Sequence, residues 1–179
     1  MSVSRQNKTA IMNSLENTLV LVMKEKPFAE ISIQELCERA GVGRSSFYRY
    51  YTSKEEVVTS LLLHMWYAWR KAEGSKDYSI ISRESARSFI HHVFASKEFF
   101  ISIYRNKLDS LFPIIIERNG KGERSDRHYK IAFFCYGVFG VLRDWWMGGC
   151  KESAEELIQV LDTVSPDIEE GLLSNAKLI

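Results

Sequence analysis

Apolar residues recur at three- and four-residue spacing through most of this chain, the period of helices that bury one face. Ile11, Leu15, Leu19, Val22 and Met23 set a first helix, which ends near Lys24 to Lys26, cations suited to a helix C-terminus, before Pro27 breaks the pattern. Ile33, Leu36, Cys37 and Ala40 follow at i, i+3, i+4 and i+7, leaving Gln34, Glu35, Glu38 and Arg39 for solvent. Ser32 and Glu35 form a capping box at the start of this helix, and Gly41 closes it, since glycine takes left-handed turn angles without a steric cost. The next helix spans about Arg44 to Tyr51, with Phe47 and Tyr51 one turn apart and facing inward. A second capping box, Ser53 to Glu56, starts a long helix through Val57, Leu61, Leu62, Met65, Trp66 and Trp69 to Glu73 and Gly74.

Gly74 to Ser82 reads as a short polar connection. Helices are then expected over Arg83 to Ala95, Lys97 to Lys107, and Leu108 to Arg118 around Pro113. Asn119 to Asp126 is the clearest loop, before a long aromatic helix from Arg127 to Met147 that Gly148 and Gly149 stop. Ser153 and Glu156 cap another helix, through Leu157, Ile158, Val160, Leu161 and Val164, and Pro166 can open a short tail helix with Ile168, Leu172 and Leu173. The fold class is therefore all-α: a three-helix head over residues 1–52, and a larger helical body over 53–179.

Net charge is only +1 over 179 residues, which excludes a protein that coats nucleic acid everywhere. Its distribution is uneven. Eight cations face five carboxylates from Met1 to Lys54, whereas two face seven from Lys151 to Ile179. A mildly basic head and an acidic tail suit contact with DNA through the head alone. Cys37, Cys135 and Cys150 are an odd number, lie far apart and sit in or beside apolar patterns, as expected of thiols in a reducing compartment. The longest apolar run near the N-terminus, Leu19 to Met23, is too short for a signal peptide, and no stretch approaches a membrane span, so a cytoplasmic location is expected.

Two short helices joined by a glycine turn have the spacing of a helix-turn-helix, although spacing alone would also suit a plain three-helix bundle. On the second helix Ser45, Ser46, Tyr48, Arg49 and Tyr50 stay largely outside, material suited to DNA phosphates and base edges. Lys54 falls in the first turn of the next helix, where the dipole disfavours a cation but favours an incoming phosphate. The stretch Ile31 to Val57 resembles the DNA-binding domain of the TetR family of bacterial transcription regulators. Ala40, Gly41, Val42, Ser46, Phe47, Tyr48, Tyr50, Tyr51, Ser53, Lys54, Glu55 and Glu56 match its motif in order. Gly43 departs from it, standing where the family has a hydroxyl cap. The resemblance implies that Arg44, Ser45, Arg49 and Tyr50 meet base edges or nearby backbone, while Ser32, Ser46, Tyr48 and Lys54 position phosphates. Arg5 and Lys8 could add an arm.

The two helices flanking Gly148 and Gly149 carry more apolar surface than one inward stripe requires, which fits either core or a homodimer interface. The resemblance favours the interface, since TetR-family proteins dimerise through their last two long helices. A dimer would read a palindrome with half-sites about 34 to 36 Å apart or a multiple. The body is rich in aromatics whose ordinary role is core. In the family some would line an effector pocket, for which Trp66, Trp69, Tyr104 and Phe134 are candidates. His91 and His92 point to different helix faces and make a poor metal pair; no metal or cofactor is expected. The run Phe133 to Glu156, with Gly140, Trp146 and Gly149, is similar to a C-terminal domain of TetR-like regulators from Gram-positive bacteria. Within that group it resembles activators of dihydroxyacetone kinase operons, which would imply a dihydroxyacetone-kinase-like co-regulator protein in place of a small apolar or aromatic effector. A helical interaction module that does not bind DNA alone is the alternative from another class. No phosphate-binding glycine loop, nucleophile elbow or metal-ligand cluster supports an enzyme.

Overall fold

The computed structural model describes residues 3–74, 83–113 and 126–164. Among these residues there are eight α-helices: α1 (Val3–Glu25), α2 (Ile33–Ala40), α3 (Arg44–Tyr50), α4 (Lys54–Ala72), α5 (Arg83–Ala95), α6 (Lys97–Arg105), α7 (Asp126–Met147) and α8 (Ala154–Val164). Short 3₁₀ turns at Phe28–Glu30 and Asp109–Leu111 complete the described chain, which holds no strand. The fold is all-α, as the periodicity predicts. The connection at 75–82, the loop at 119–125 and the tail helix from Pro166 lie outside the described residues, as do residues 114–118 of the helix expected around Pro113.

Three helices end in the same way, and the reason is local. At Gly41 (φ 65°), Lys107 (φ 56°) and Gly149 (φ 89°) the backbone turns left-handed. The next amide then reaches back five residues: Val42 to Cys37 at 2.9 Å, Leu108 to Ile103 at 3.0 Å, and Cys150 to Trp145 at 2.9 Å. Each closure satisfies an otherwise orphaned carbonyl and reverses the chain. At Lys107 a side chain bears a left-handed angle, at a cost of roughly 1 kcal/mol, and the turn drops Leu108 into the core. This explains why no helix continues from α6 into Leu108.

The capping boxes are realised unequally. Ser153 and Glu156 bond reciprocally: Glu156 N–H donates to Ser153 Oγ, and Ser153 N–H donates to Glu156 Oε2 at 2.7 Å. Ser32 Oγ accepts from Glu35 N–H at 3.1 Å, but the Glu35 carboxylate turns away to Lys26 at 2.5 Å. Glu56 likewise reaches past Ser53 to Thr52 N–H at 2.6 Å.

One apolar cluster runs through the molecule. In the head α1 lies across α2, α3 and α4, burying Leu15, Leu19, Val22, Leu36, Phe47 and Val57. The body packs α5 on α6 and α8, and α6 on α7. Its centre is aromatic: Phe94 stacks on Trp145 at 4.4 Å, and Trp146 on Phe100 at 5.8 Å and Phe112 at 5.7 Å. Pairs of this kind add about 0.5–1.5 kcal/mol each beyond burial. Arg70 is fully buried at the end of α4, paired with Glu73 at 3.0 Å and set over the Trp69 ring.

Head and body meet at α1 and α6. There the Phe28 N–H donates to Asn106 Oδ1 at 2.6 Å, while Asn106 Nδ2 donates to Ser102 O at 2.8 Å. The head also uses α4: Ser60 and His64 bond to Glu16 of α1, so its packing extends past residue 52.

Candidate nucleic-acid interface

Helices α2 and α3 are joined by the three residues Gly41, Val42 and Gly43. The left-handed Gly41 sets the angle between them, and Gly43, extended and without a side chain, stands at the N-cap of α3 and gives no side-chain cap. A Cβ added at Gly43 would approach nothing closer than Ser45 Oγ at 3.9 Å, so the turn itself does not demand glycine there. Phe47 and Tyr51 anchor α3 by burying their rings 5.8 Å apart.

The remaining side chains of α3 face outward. Arg44, Ser45, Tyr48 and Arg49 are exposed, and Ser46 and Tyr50 half-buried. A seven-residue helix is about 10 Å long, a length that enters one major groove. Tyr48 stands with half its surface in solvent, its ring edge-on to Phe47. Lys8 of α1 places its ammonium 5.8 Å from the centre of the Tyr50 ring, bringing a third cation to the surface that holds Arg44 and Arg49. Six of the eight expected DNA contacts are therefore brought together on one helix. Ser32 is exposed on the neighbouring cap. Arg5 lies on α1 with its side chain outside the described ones.

Lys54 is placed differently from the expectation. Its ammonium donates to Phe28 O at 2.6 Å, Ile31 O at 2.8 Å and Ala29 O at 3.3 Å, and lies 4.4 Å from the Phe28 ring centre. An ammonium has three N–H donors, and three carbonyls of one turn already receive them. Lys54 thus ties the start of α4 to the turn that leads into α2.

Sequence reading missed a polar group beneath this surface. Glu16 is 3 % exposed and accepts from Tyr51 Oη at 3.1 Å, Ser60 Oγ at 2.8 Å and His64 Nδ1 at 2.8 Å. Burial pushes the Tyr51 phenol up from its ordinary value; the Ser60 hydroxyl pulls it down, and Glu16 adds a smaller rise. The available signal was the position of Glu16, between Met12 and Leu19 on the inward stripe of α1.

Among the described pocket candidates, Tyr104 stands apart from Trp66 and Trp69. Trp66 and Trp69 do meet, at 4.9 Å, and border a cavity of about 20 Å³, room for one water. Tyr104 stands elsewhere on α6, its ring 6.5 Å from Trp146, and the Phe134 side chain lies outside the described ones. Among the described residues no group of three His, Cys, Asp or Glu side chains is placed to hold a metal, and no helix is long and apolar enough to cross a membrane.

Residues 20–61, which span α2, the turn, α3 and the start of α4, match the family described as bacterial regulatory proteins, tetR family, and residues 82–167 match a transcriptional regulator C-terminal region. The chain belongs to the tetR family. Its members are regulators rather than enzymes. This tetR-family chain is 42% identical over 53 residues to the HTH-type transcriptional regulator EthR of Mycobacterium tuberculosis, covering 30% of this chain and 23% of that protein. With the EthR of Mycolicibacterium smegmatis it shares 46% over 41 residues, 23% of this chain and 19% of the other. These matches span less than a quarter of the relatives' length. Among solved structures, Lin0861 from Listeria innocua aligns over 93% of both chains with a TM-score of 0.69 at 15% identity. The fatty acid degradation regulator FadR from Bacillus halodurans aligns over 86% of this chain and 93% of its own, with a TM-score of 0.55 at 16% identity. At such identities the likeness shows the fold, which in this tetR-family chain therefore extends through head and body.

Proposed function

We propose that this protein is a cytoplasmic, homodimeric transcription regulator that reads a palindromic operator through α3. The observation that carries the reading is the surface of α3, where Arg44, Ser45, Tyr48 and Arg49 are exposed together on a helix anchored from behind by Phe47 and Tyr51. Arg44 and Arg49 present the forked donors that suit guanine edges, and the hydroxyls of Ser45, Ser46, Tyr48 and Tyr50 suit phosphate or base contacts.

Dimerisation is supported by α7. Tyr129, Phe133, Tyr136 and Met147 are each more than half exposed, and their spacing puts them on one stripe with Gly140. A helix bearing such a stripe needs a partner, and a symmetry-related copy of α7 and α8 supplies one in a four-helix arrangement. The exposed Val160 of α8 extends the surface.

The experiment is selection of bound duplexes from a random DNA library by the purified protein, repeated with Tyr48→Ala and Arg44→Ala. An enriched palindrome, lost with Tyr48→Ala and relaxed at particular positions with Arg44→Ala, is the expected result. Equal retention of all duplexes, or of none, would refute sequence reading by the head alone and return the interaction-module alternative.

For control of the regulator, the resemblance of Phe133 to Glu156 supports activation of a dihydroxyacetone kinase operon together with a kinase-like partner protein. A second reading, release of a repressor by a small apolar or aromatic effector, is favoured by a different observation. Trp66 Nε1 and His92 Nε2 are buried without hydrogen-bond partners beside one aromatic cavity of only about 10 Å³ between α4, α5 and α6. Groups left so are costly unless something pairs with them. Calorimetry with the purified partner protein and with planar aromatic acceptors separates the two.

A further inference from the structure

The carboxylate of Glu16 joins α1, the end of α3 and α4. Its three donors come from two places: Tyr51, the residue that terminates α3, and Ser60 and His64, one turn apart on α4. Carboxylates are almost never this deeply buried unless hydrogen-bonded, and here both oxygens are used, Oε1 by the two hydroxyls and Oε2 by the imidazole. Tyr51 Oη also lies 3.3 Å from Ser60 Oγ, so the three oxygens form a closed triangle.

The position of this triangle decides its effect. Rings such as Phe47 and Tyr51 fix how deep α3 sits, but an apolar slot tolerates rotation of the helix about its own axis. A hydrogen bond does not, because it weakens steeply as its angle departs from linear. On this side of the head a groove of about 400 Å³ opens between α3 and α4, bounded by Tyr50, Tyr51, Ser60, His64 and Tyr67. The hydroxyl tie forms one wall of that groove, with Glu16 and Tyr51 themselves buried.

We propose that Glu16 is the positioning residue of the recognition helix: acting through Tyr51, it fixes the rotation at which Arg44, Tyr48 and Arg49 are presented. Glu16 touches no DNA. The role rests on the proposal that α3 reads base edges, and it concerns discrimination between sequences rather than attraction to DNA as such. Phosphate attraction depends on charge and survives a small rotation, whereas bidentate base contacts do not.

The test uses the full chain with Glu16→Leu, Glu16→Gln, Tyr51→Phe and the double variant Glu16→Leu/Tyr51→Phe. Two quantities are read: amide hydrogen exchange of residues 44–51 relative to 33–40 in the free protein, and the ratio of affinities for the selected duplex and for a mixed-sequence duplex. Glu16→Leu and Tyr51→Phe should each speed α3 exchange relative to α2 by about tenfold. Glu16→Leu should lower the affinity ratio by about tenfold, which is about 1.4 kcal/mol, with mixed-duplex affinity unchanged. Glu16→Gln keeps an oxygen for Tyr51 and Ser60 and should stay within about threefold of wild type. The double variant should be no worse than Glu16→Leu alone, because both break one link. Wild-type α3 exchange in Glu16→Leu, or additive losses in the double variant, would overturn the assignment. Should Glu16→Leu fail to fold, Tyr51→Phe decides, and an unchanged α3 rate there overturns it. If wild type selects no sequence, DNA reading by the head falls, while the exchange measurements still decide whether Glu16 holds α3.

Discussion

Replacing Lys54 by Met separates two jobs that one ammonium could do. Methionine keeps the apolar stem against Phe28 and removes the charge. Two short bonds of the wild type, to Phe28 O and Ile31 O, and a longer one to Ala29 O are lost together in the variant. A hydrogen bond involving a charged group contributes about 1.5–3 kcal/mol. Phe28 O retains a second donor, the Ile31 N–H at 3.1 Å, and the side chain is only half-buried, so water recovers part of the loss. The lower end of the range applies, about 2 kcal/mol in all. With an m-value of about 2 kcal/mol per M, the urea midpoint should fall by about 1 M. Affinity measured against salt supplies the second readout. A lysine that neutralises a phosphate adds about 0.9 to the slope of log K against log salt, whereas a lysine spent on carbonyls adds nothing. The expected outcome is a lower midpoint with the slope unchanged. An unchanged midpoint with a slope reduced by about 0.9 would refute the tie and restore a phosphate role.

Phe133→Glu puts a charge in the centre of the α7 stripe; burying a phenylalanine stabilises by about 1.5–3 kcal/mol, so two copies per dimer predict a dissociation constant raised at least a hundredfold, checked by sedimentation. Burial pushes the Cys135 thiol up to about 12, against a weaker downward pull from Arg70, so iodoacetamide at about pH 8 should leave it unmodified in the native protein and reach it only in denaturant. The Glu156 carboxyl is held below its ordinary 4.5, first by the Ser153 backbone N–H and then by its hydroxyl. Its contribution to the α8 cap is therefore complete above that value and lost as pH falls through the lowered one; amide exchange at 154–158 should accelerate in acid, and Ser153→Ala should flatten that response. Asn106→Ala leaves the Phe28 N–H without its acceptor, which predicts about 1–2 kcal/mol of destabilisation in urea.

Much of the fold was legible because its signals are local. The caps at Ser32, Ser53 and Ser153 and the stop at Gly41 mark boundaries that depend on a few neighbouring residues, and the corresponding helices start and end there. The end of α6 was read to within two residues, at Lys107 rather than Arg105, but the means of its closure was not legible, since Lys107 adopts a glycine-like angle that its residue type does not announce. The surface of α3 followed from period and burial. Lys54 did not, for its position at a helix start suggested a phosphate, while the carbonyls it meets lie 23 to 26 residues earlier in the chain. Glu16 shows the same gap. Its inward position could be read from Met12 and Leu19, but its partners, 35 to 48 residues away, only the tertiary structure brings near. Trp66 and Trp69 lie side by side, one turn apart on α4, whereas Tyr104 belongs to a different aromatic stack because α6 faces α7 there.

The turn at Phe28–Glu30 has a consequence for anyone who would graft this head onto another body. Its amide is held by Asn106 from the C-terminal end of α6, and its carbonyls by Lys54 from the start of α4. A cut at residue 52 severs the second link along with those from Ser60 and His64 to Glu16. A transplant that ends after His64 keeps the Lys54, Ser60 and His64 ties but not that from Asn106, and the recipient must then offer an acceptor of its own to Phe28, or the exchanged reader will arrive with this turn unfastened.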